Sequence, residues 1–246
     1  MFSIGKRKRN LFDPEKQFKL SRSKIELFTE CPRCFYLDRR LGIGRPSIPG
    51  YTLNSAVDEL LKKEFDLYRL KQEPHPIMTE NGVNAVPFAH EMMDIWRQNF
   101  KGVQYAFPNS NLLLHGAVDD IWVTPAGELI VVDYKATSTS SEITLDSEYR
   151  QGYKRQMEIY QWLLRHNGFA VLDRGYFLYA NGLKTPERFD STLTFTLQLL
   201  PYDGNDAWVE STVCDCLATL HADTAPAPRE NCEYCAYTYH CGSVEV

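Results

Sequence analysis

No run of about 18 or more apolar residues occurs in this 246-residue chain, so none of it reads as a membrane-spanning helix. Its first ten residues, MFSIGKRKRN, are basic with no apolar stretch behind them. That is not a secretory signal, and a cytoplasmic location is the expectation. Internal repeats and low-complexity linkers are missing. So is any GxxxxGK[ST] loop for ATP, which leaves strand separation to a partner. An excess of positive charge is lacking too: the formal net charge is −5. This does not exclude a nucleic-acid partner. Enzymes that cut nucleic acid need carboxylates for metal, and only a local basic surface has to meet phosphate. Candidates for that surface are Lys6 to Arg9, Arg39 with Arg40, and Arg150 with Lys154 and Arg155; Lys6 to Arg9 also read as a solvated tail.

Hydrophobic residues make up 43% and charged residues 24%, which with this length fits one soluble domain around one sizeable core. The seven cysteines are an odd number and do not suggest a disulfide framework in a reducing compartment. They fall as Cys31 and Cys34, Cys214 and Cys216, then Cys232, Cys235 and Cys241, a spacing that points to metal.

Residues 20–30 predict a short helix in which Ser23 and Glu26 have capping-box spacing. Pro32 breaks the pattern and Gly42 ends the segment. Residues 53–70 carry Leu53, Val57, Leu60, Leu61 and Phe65 at helical spacing. Another helix is expected over 88–100. A β-hairpin follows, with strands 112–123 and 129–136 around the turn TPAGE. Next come a helix over 148–166, strands over 174–180 and 192–200, and a helix over 205–221. This order predicts a mixed α/β (α+β) fold in a single domain spanning 1–246. Residues 1–19 are expected as a flexible tail, and 20–42 with 222–241 as a cysteine-bearing region.

With the turn centred on Ala126, Asp119 and Asp133 are equally far from it. They therefore sit directly opposite each other, with Cβ atoms about 5 Å apart. Lys135 shares their face because strand side chains alternate, and Asp120 turns to the other face. Two facing carboxylates are destabilising without a positive charge between them, and a hard divalent cation such as Mg²⁺ or Mn²⁺ answers that need. The same residues also fit a surface salt bridge between Asp133 and Lys135 beside a lone Asp119. The buried-strand character of Leu129 to Val132 favours the metal site.

Gly116-Ala-Val-Asp119 followed by Val132-Asp133-Tyr134-Lys135 resembles the GxxD…(D/E)xK core of the PD-(D/E)xK nuclease superfamily. Gln156-Met-Glu-Ile-Tyr160 resembles the QxxxY motif of its RecB-like branch. The resemblance implies a restriction-endonuclease-like core: a central mixed sheet flanked by helices. It implies catalytic roles for Asp119, Asp133, Lys135, Gln156 and Tyr160, and divalent-metal ligands at Asp58, Asp119, Asp133 and Tyr134. Many RecB-like nucleases carry a histidine ligand on an upstream helix. Asn54-Ser-Ala-Val-Asp58 stands there in this chain, with Asp58 in the histidine's place. An aspartate still binds Mg²⁺ or Mn²⁺, and the substitution also fits a weakened nuclease or an ordinary polar-face residue.

Cys232-x₂-Cys235-x₅-Cys241 supplies three thiolates, and Cys31 or Cys34 the fourth. Spacing alone allows Zn²⁺, with Cys31, Cys34, Cys232 and Cys235 as a zinc ribbon, or an iron–sulfur cluster. The arrangement of one cysteine near the N-terminus and three near the C-terminus resembles the iron–sulfur nucleases: the AddB-type helicase–nucleases and the exonucleases of CRISPR adaptation. Ser21-x-Ser23-x-Ile25…Cys31-Pro-Arg is similar to their N-terminal signature. The resemblance implies a 4Fe-4S cluster on Cys31, Cys232, Cys235 and Cys241, joining the chain ends, with Cys34 an extra thiol. Cys214 and Cys216 read as buried free cysteines. The expected function is metal-dependent hydrolysis of DNA, single-stranded or at ends, with a helicase or CRISPR adaptation proteins as candidate partners. The alternatives are a nucleic-acid-binding module that has lost cleavage and a zinc-stabilised interaction protein.

Overall fold

The computed structural model describes residues 10–46, 50–147 and 150–243, so Lys6 to Arg9 lie outside the described residues. In chain order the elements are β1 (Phe18–Ser21), α1 (Arg22–Glu30), α2 (Pro32–Arg39), α3 (Thr52–Lys71), α4 (Pro76–Glu80) and β2 (Val86–Pro87). There follow α5 (Met93–Trp96), β3 (Val103–Ala106), β4 (Leu112–Gly116), β5 (Asp120–Val123) and β6 (Leu129–Thr137). The chain ends with α6 (Gln151–His166), β7 (Arg174–Gly182), β8 (Phe195–Asp203), α7 (Val209–His221) and α8 (Glu233–Ser243). The class is mixed α/β, with two sheets ordered β1-β4-β3 and β2-β5-β6-β7-β8, flanked by helices. The described residues fall into two compact units: those within 1–48, 105–115 and 207–246 form the first, and those within 49–104 and 116–206 the second. Among the described residues no helix is long and apolar enough to cross a membrane.

In the second unit β6 is the central strand. Leu129 to Tyr134 are all buried, as a β-rich run covered on both faces requires. It pairs antiparallel with β5 and parallel with β7, and α6 makes the crossover between the two parallel strands. One face of β6 presents Ile130, Val132 and Tyr134 to a core that includes Leu61 and Phe65 of α3. Phe65 stacks on Trp122 at 5.7 Å and tilts against Tyr134 at 5.6 Å, which fixes the rotation of α3 about its axis. Against the other face lies α6, whose residues 156–164 are all buried. Two glycines permit that close approach: a Cβ on Gly116 would meet Tyr160 Cε1 at 2.7 Å, and one on Gly175 would meet Met157 Sδ at 2.5 Å.

In the first unit β1 pairs parallel with β4, from Phe18 opposite Leu112 to Ser21 opposite His115. Helices α1, α2 and α7 pack together. Phe12 meets Phe18 and His221 edge-on, at 5.4 and 4.9 Å, and the Tyr36 hydroxyl donates to the carbonyls of Ala222 and Asp223 at 3.3 Å. Cys31 is extended (φ −163°, ψ 109°), as a residue before proline prefers, and this turns the chain between α1 and α2.

Several elements depart from the sequence-based expectations. Of the expected tail, Phe12 and Phe18 are buried, and β1 precedes α1. The cap of α1 is Ser21, with no side-chain cap bond, so the Ser23–Glu26 box does not form. Pro32 opens a helix as its first residue, where its missing N–H costs nothing. The helix expected over 88–100 shrinks to the single turn α5, where the His90 ring accepts from the Met92 N–H and stacks on Trp96 at 4.6 Å. The strand expected over 112–123 divides into β4 and β5, which join different sheets. Strand β8 lies three residues later than expected, and the last cysteines fall around α8 rather than in loops.

Candidate functional site

The turn joining β5 to β6 is closed by Thr124 N–H to Glu128 O at 3.0 Å and Gly127 N–H to Thr124 O at 2.9 Å. Gly127 has φ +82°, which an L side chain rarely adopts. This turn sets the register Asp120 opposite Val132, which continues to Asp119 opposite Asp133. Asp119 lies one residue outside the ladder. Its Oδ2 accepts from the Tyr134 backbone N–H at 2.9 Å, the bond the next residue of a longer β5 would have made. The Asp119 carboxylate therefore sits at the edge of β6 rather than over the face that carries Asp133. Because a strand residue's N–H and C=O leave on the same edge, the Tyr134 carbonyl projects to that edge too.

Asp133 is fully buried and ion-pairs with Lys135, whose side chain is 15% exposed. The Gln156 amide donates to Asp133 Oδ1 at 2.6 Å and to the Tyr160 hydroxyl at 3.1 Å. Lys135 Nζ also lies 4.4 Å from the centre of the Tyr153 ring, a cation–π contact. Tyr153, Gln156 and Tyr160 are three and four residues apart, so α6 presents them on one face. Beyond Lys135, a groove of about 280 Å³ follows the end of β6, lined by Asn54, Val57 and Thr137 among others.

On α3, Lys62 Nζ lies 2.7 Å from Asp58 Oδ2 and 3.4 Å from Asp119 Oδ1. Burial and the Asp119 charge raise the Asp58 pKa above its ordinary value, against the pull of Lys62. Burial works against the Lys62 ammonium, but the Asp119 and Asp58 charges outweigh it and hold its pKa up. Asp120 points the other way, fully buried. Its carboxylate accepts from Arg69 at 2.5 Å, Arg97 at 3.0 Å and the Tyr134 hydroxyl at 2.8 Å. Arg97 also donates through Nε to the Asp119 carbonyl at 3.0 Å, so the buried charge cluster holds the backbone of the candidate metal ligand.

In the first unit Cys31, Cys34, Cys232 and Cys235 bring their sulfurs within 4.8 Å of one another. Cys34 lies 3.5 Å from Cys232 and 3.7 Å from Cys235, and Cys31 lies 3.9 Å from Cys235. Burial pushes the Cys31 thiol up, but the backbone N–H groups of Arg229 and Cys34 and the thiols of Cys232 and Cys34 outweigh it, bringing it to about 7. Arg45 Nη2 lies 3.9 Å from the Cys232 sulfur, and its guanidinium sits 4.4 Å from the centre of the Tyr234 ring.

Residues 52–242 match the family described as the PD-(D/E)XK nuclease superfamily. The chain belongs to that superfamily. A solved structure titled "Crystal structure of SSO0001" is 15% identical and has a TM-score of 0.38, the match covering 96% of this chain and 90% of that one. No curated protein matches.

Nucleases of this superfamily typically use divalent metal ions. The donor set here is of the kind such ions take: two carboxylates at one end of β6 and a carbonyl on the same edge, all hard oxygens. The carboxylates of Asp58, Asp119 and Asp133 do not form a trio within 4.8 Å among the described residues; ammonium groups of Lys62 and Lys135 lie against them. The four cysteines could hold a metal and would join the N- and C-terminal regions. They are the four of the zinc-ribbon alternative and differ from the iron–sulfur set that the resemblance implies. Cys34 is one of the four, and Cys241 is exposed on α8 and outside it. The reason is local: α2 starts at Pro32, so Cys31 and Cys34 stand one helical turn apart and both face Cys232 and Cys235. Cys216 is buried as expected, whereas Cys214 is exposed.

Of the basic candidates, Arg39 is buried against Asp38, Arg150 lies 5.7 Å from the centre of the Tyr179 ring, and Lys154 lies 5.6 Å from that of Tyr202. Sequence reasoning passed over Lys62, Arg97 and Tyr153. Lys62 follows Asp58 by four residues and Tyr153 precedes Gln156 by three; those spacings were the available signals. Nothing local to Arg97 points to Asp119.

Proposed function

We propose that this chain is a divalent-metal-dependent deoxyribonuclease acting on single-stranded DNA or DNA ends. The observation that carries this reading is Asp119 on the Tyr134 N–H at the edge of β6, one strand position from the Asp133–Lys135 pair, in a chain of a nuclease superfamily. Asp119, Asp133 and the Tyr134 carbonyl would hold the ion, and Asp58 could join them. When bound, Mg²⁺ or Mn²⁺ supplies Lewis-acid polarisation of the phosphate and an acidified water. Lys135 then orients the attacking water or neutralises charge growing on the phosphate. Gln156 fixes the rotamer of Asp133, and Tyr160 fixes Gln156.

The cysteine centre is proposed as structural. The resemblance to iron–sulfur nucleases favours a 4Fe-4S cluster, and a helicase or CRISPR adaptation proteins remain the proposed associates on the same ground. The sulfur separations favour a second reading. A single tetrahedral ion with metal–sulfur bonds of about 2.3 Å sets its sulfurs roughly 3.8 Å apart, close to those observed, whereas a cubane spreads its ligands further. Metal analysis of protein purified without oxygen separates the two: about four irons per chain, or one zinc.

The deciding assay incubates this protein with end-labelled single- and double-stranded DNA, with Mn²⁺, Mg²⁺ or chelator. Metal-dependent cleavage that disappears in Asp119→Asn and Asp133→Asn is expected. DNA binding without cleavage at any metal concentration would replace the reading with that of a binding module. No DNA binding at all, with stoichiometric zinc, would replace it with that of an interaction protein.

A further inference from the structure

Asp58 has a dedicated occupant. The Lys62 ammonium touches Asp58 at 2.7 Å and Asp119 at 3.4 Å, one nitrogen serving carboxylates from a helix and from a strand end. Its aim is set by packing. Leu61 and Phe65 are buried in the core with Trp122 and Tyr134, which leaves Asp58 and Lys62, four residues apart, turned together toward the start of β5. The Lys62 side chain is 21% exposed and that of Asp119 also 21%, so water cannot fully screen the three charges. An ammonium takes its oxygens near 2.7 Å; Mg²⁺ takes them at about 2.0–2.1 Å and carries twice the charge. Held on the same two carboxylates at partly buried positions, the two cations repel each other.

We infer that Lys62 is a built-in competitor for the divalent ion: its ammonium neutralises the Asp58–Asp119 part of the site and weakens binding of the ion there. The inference rests on the metal site proposed above and deepens it. Relative to the histidine that the resemblance implies at this position, Asp58 then differs in more than ligand type. A neutral imidazole would not hold a lysine one turn along the helix, whereas a carboxylate does. The chain thereby keeps its carboxylates charge-balanced without metal, at the cost of weaker metal binding.

The test is Mn²⁺ binding by the full chain, read by the electron paramagnetic resonance of free Mn²⁺ and by the Mn²⁺-induced rise in melting temperature. Asp133→Asn serves as the blank for the site. Lys62→Met is expected to bind Mn²⁺ about tenfold or more tighter than the wild type, because a repelling charge is gone and Asp58 is freed. Its melting temperature should be lower without Mn²⁺ and should rise further on adding it. Lys62→Arg, which keeps the charge, should bind like the wild type and shows whether loss of fold rather than of charge is being read. Adding Asp58→Asn to Lys62→Met should remove most of the gain. Unchanged or weaker Mn²⁺ binding by Lys62→Met, with Asp133→Asn still abolishing it, overturns the inference alone. If Asp133→Asn binds Mn²⁺ as the wild type does, the metal site itself is overturned and the competitor with it.

Discussion

The Gln156 side-chain amide donates to Asp133 Oδ1 at 2.6 Å and to the Tyr160 hydroxyl at 3.1 Å, both of its hydrogens engaged in the interior. One helix thus orients a strand carboxylate whose other oxygen meets Lys135. Gln156→Ala is expected to lower Mn²⁺ affinity or cleavage rate by about 10–100-fold, as for loss of a group that orients a ligand. It should also cost about 1–3 kcal/mol of stability, because Asp133 stays buried with one bond fewer. Single-turnover rates across a Mn²⁺ series, with a urea melt, check both.

Asp120 is no bystander, although it faces away from Asp133. It balances Arg69 and Arg97 in the interior, so Asp120→Ala leaves buried guanidinium charge and should cost about 3–5 kcal/mol. Asp119→Asn, at a partly exposed position, should unfold at nearly the wild-type urea concentration yet not cleave. If Asp120→Ala unfolds like the wild type, the cluster contributes nothing to stability.

The cysteine substitutions give a graded series. Cys31→Ser, Cys34→Ser and Cys232→Ser should each lose bound metal and lower the melting temperature, while Cys214→Ser should change neither. Cys241→Ser should keep its metal if the four-sulfur set seen here is the ligand set. Metal loss in Cys241→Ser together with retention in Cys34→Ser would return the ligand set to the one-plus-three arrangement implied by the resemblance.

Asp38 sets an acid limit on the first unit. Burial opposes its ionisation, but Lys24 at 2.6 Å and Arg39 at 2.8 Å outweigh burial and hold its carboxyl below the usual range. A depressed folded-state pKa stabilises the fold fully above the unfolded value of about 3.9 and loses that contribution as pH falls through the folded value. Asp38→Asn should therefore cost about 1.5–3 kcal/mol near neutral pH, from lost charged hydrogen bonds. Its stability deficit should shrink below about pH 4. Urea melts of both proteins from pH 7 to pH 3 measure the gap, and a constant gap contradicts the assignment.

What was legible in the sequence was local. The hairpin register follows from turn length and strand alternation, so Asp120 opposite Val132 could be counted off the chain. Asp119, by contrast, leaves the ladder and turns its carboxylate to the edge of β6 instead of facing Asp133. The α3 and α6 helices likewise follow from helical periodicity, although Leu53 and Leu60 of the expected apolar face of α3 are exposed. What failed depends on tertiary contact. The break between β4 and β5 reflects the sheets those strands join, and Gly116, next to the break, is kept bare of a Cβ by the Tyr160 ring. Lys62 reaches Asp119 only because Phe65 packs on Trp122. The spacing offered the set with Cys34 as a zinc ribbon but could not place it, because Pro32, which here starts a helix, would equally well have ended one.

The division of the chain between its two units fixes an order of events during synthesis. The second unit draws its residues from before 207, whereas the first includes described residues from 207 to 243. At about 5–20 residues per second, a ribosome makes the sheet around β6 seconds before Cys232 and Cys235 emerge. Through that interval Cys31 and Cys34 wait as an open pair of thiols, exposed to oxidants and stray ions. A metal cofactor on the four cysteines would then be loaded only after the second unit has been made. A shortage of the cofactor would yield chains with a finished second unit and an unsealed first one, which limited proteolysis of metal-starved cells would detect as a protected fragment spanning β5 to β8.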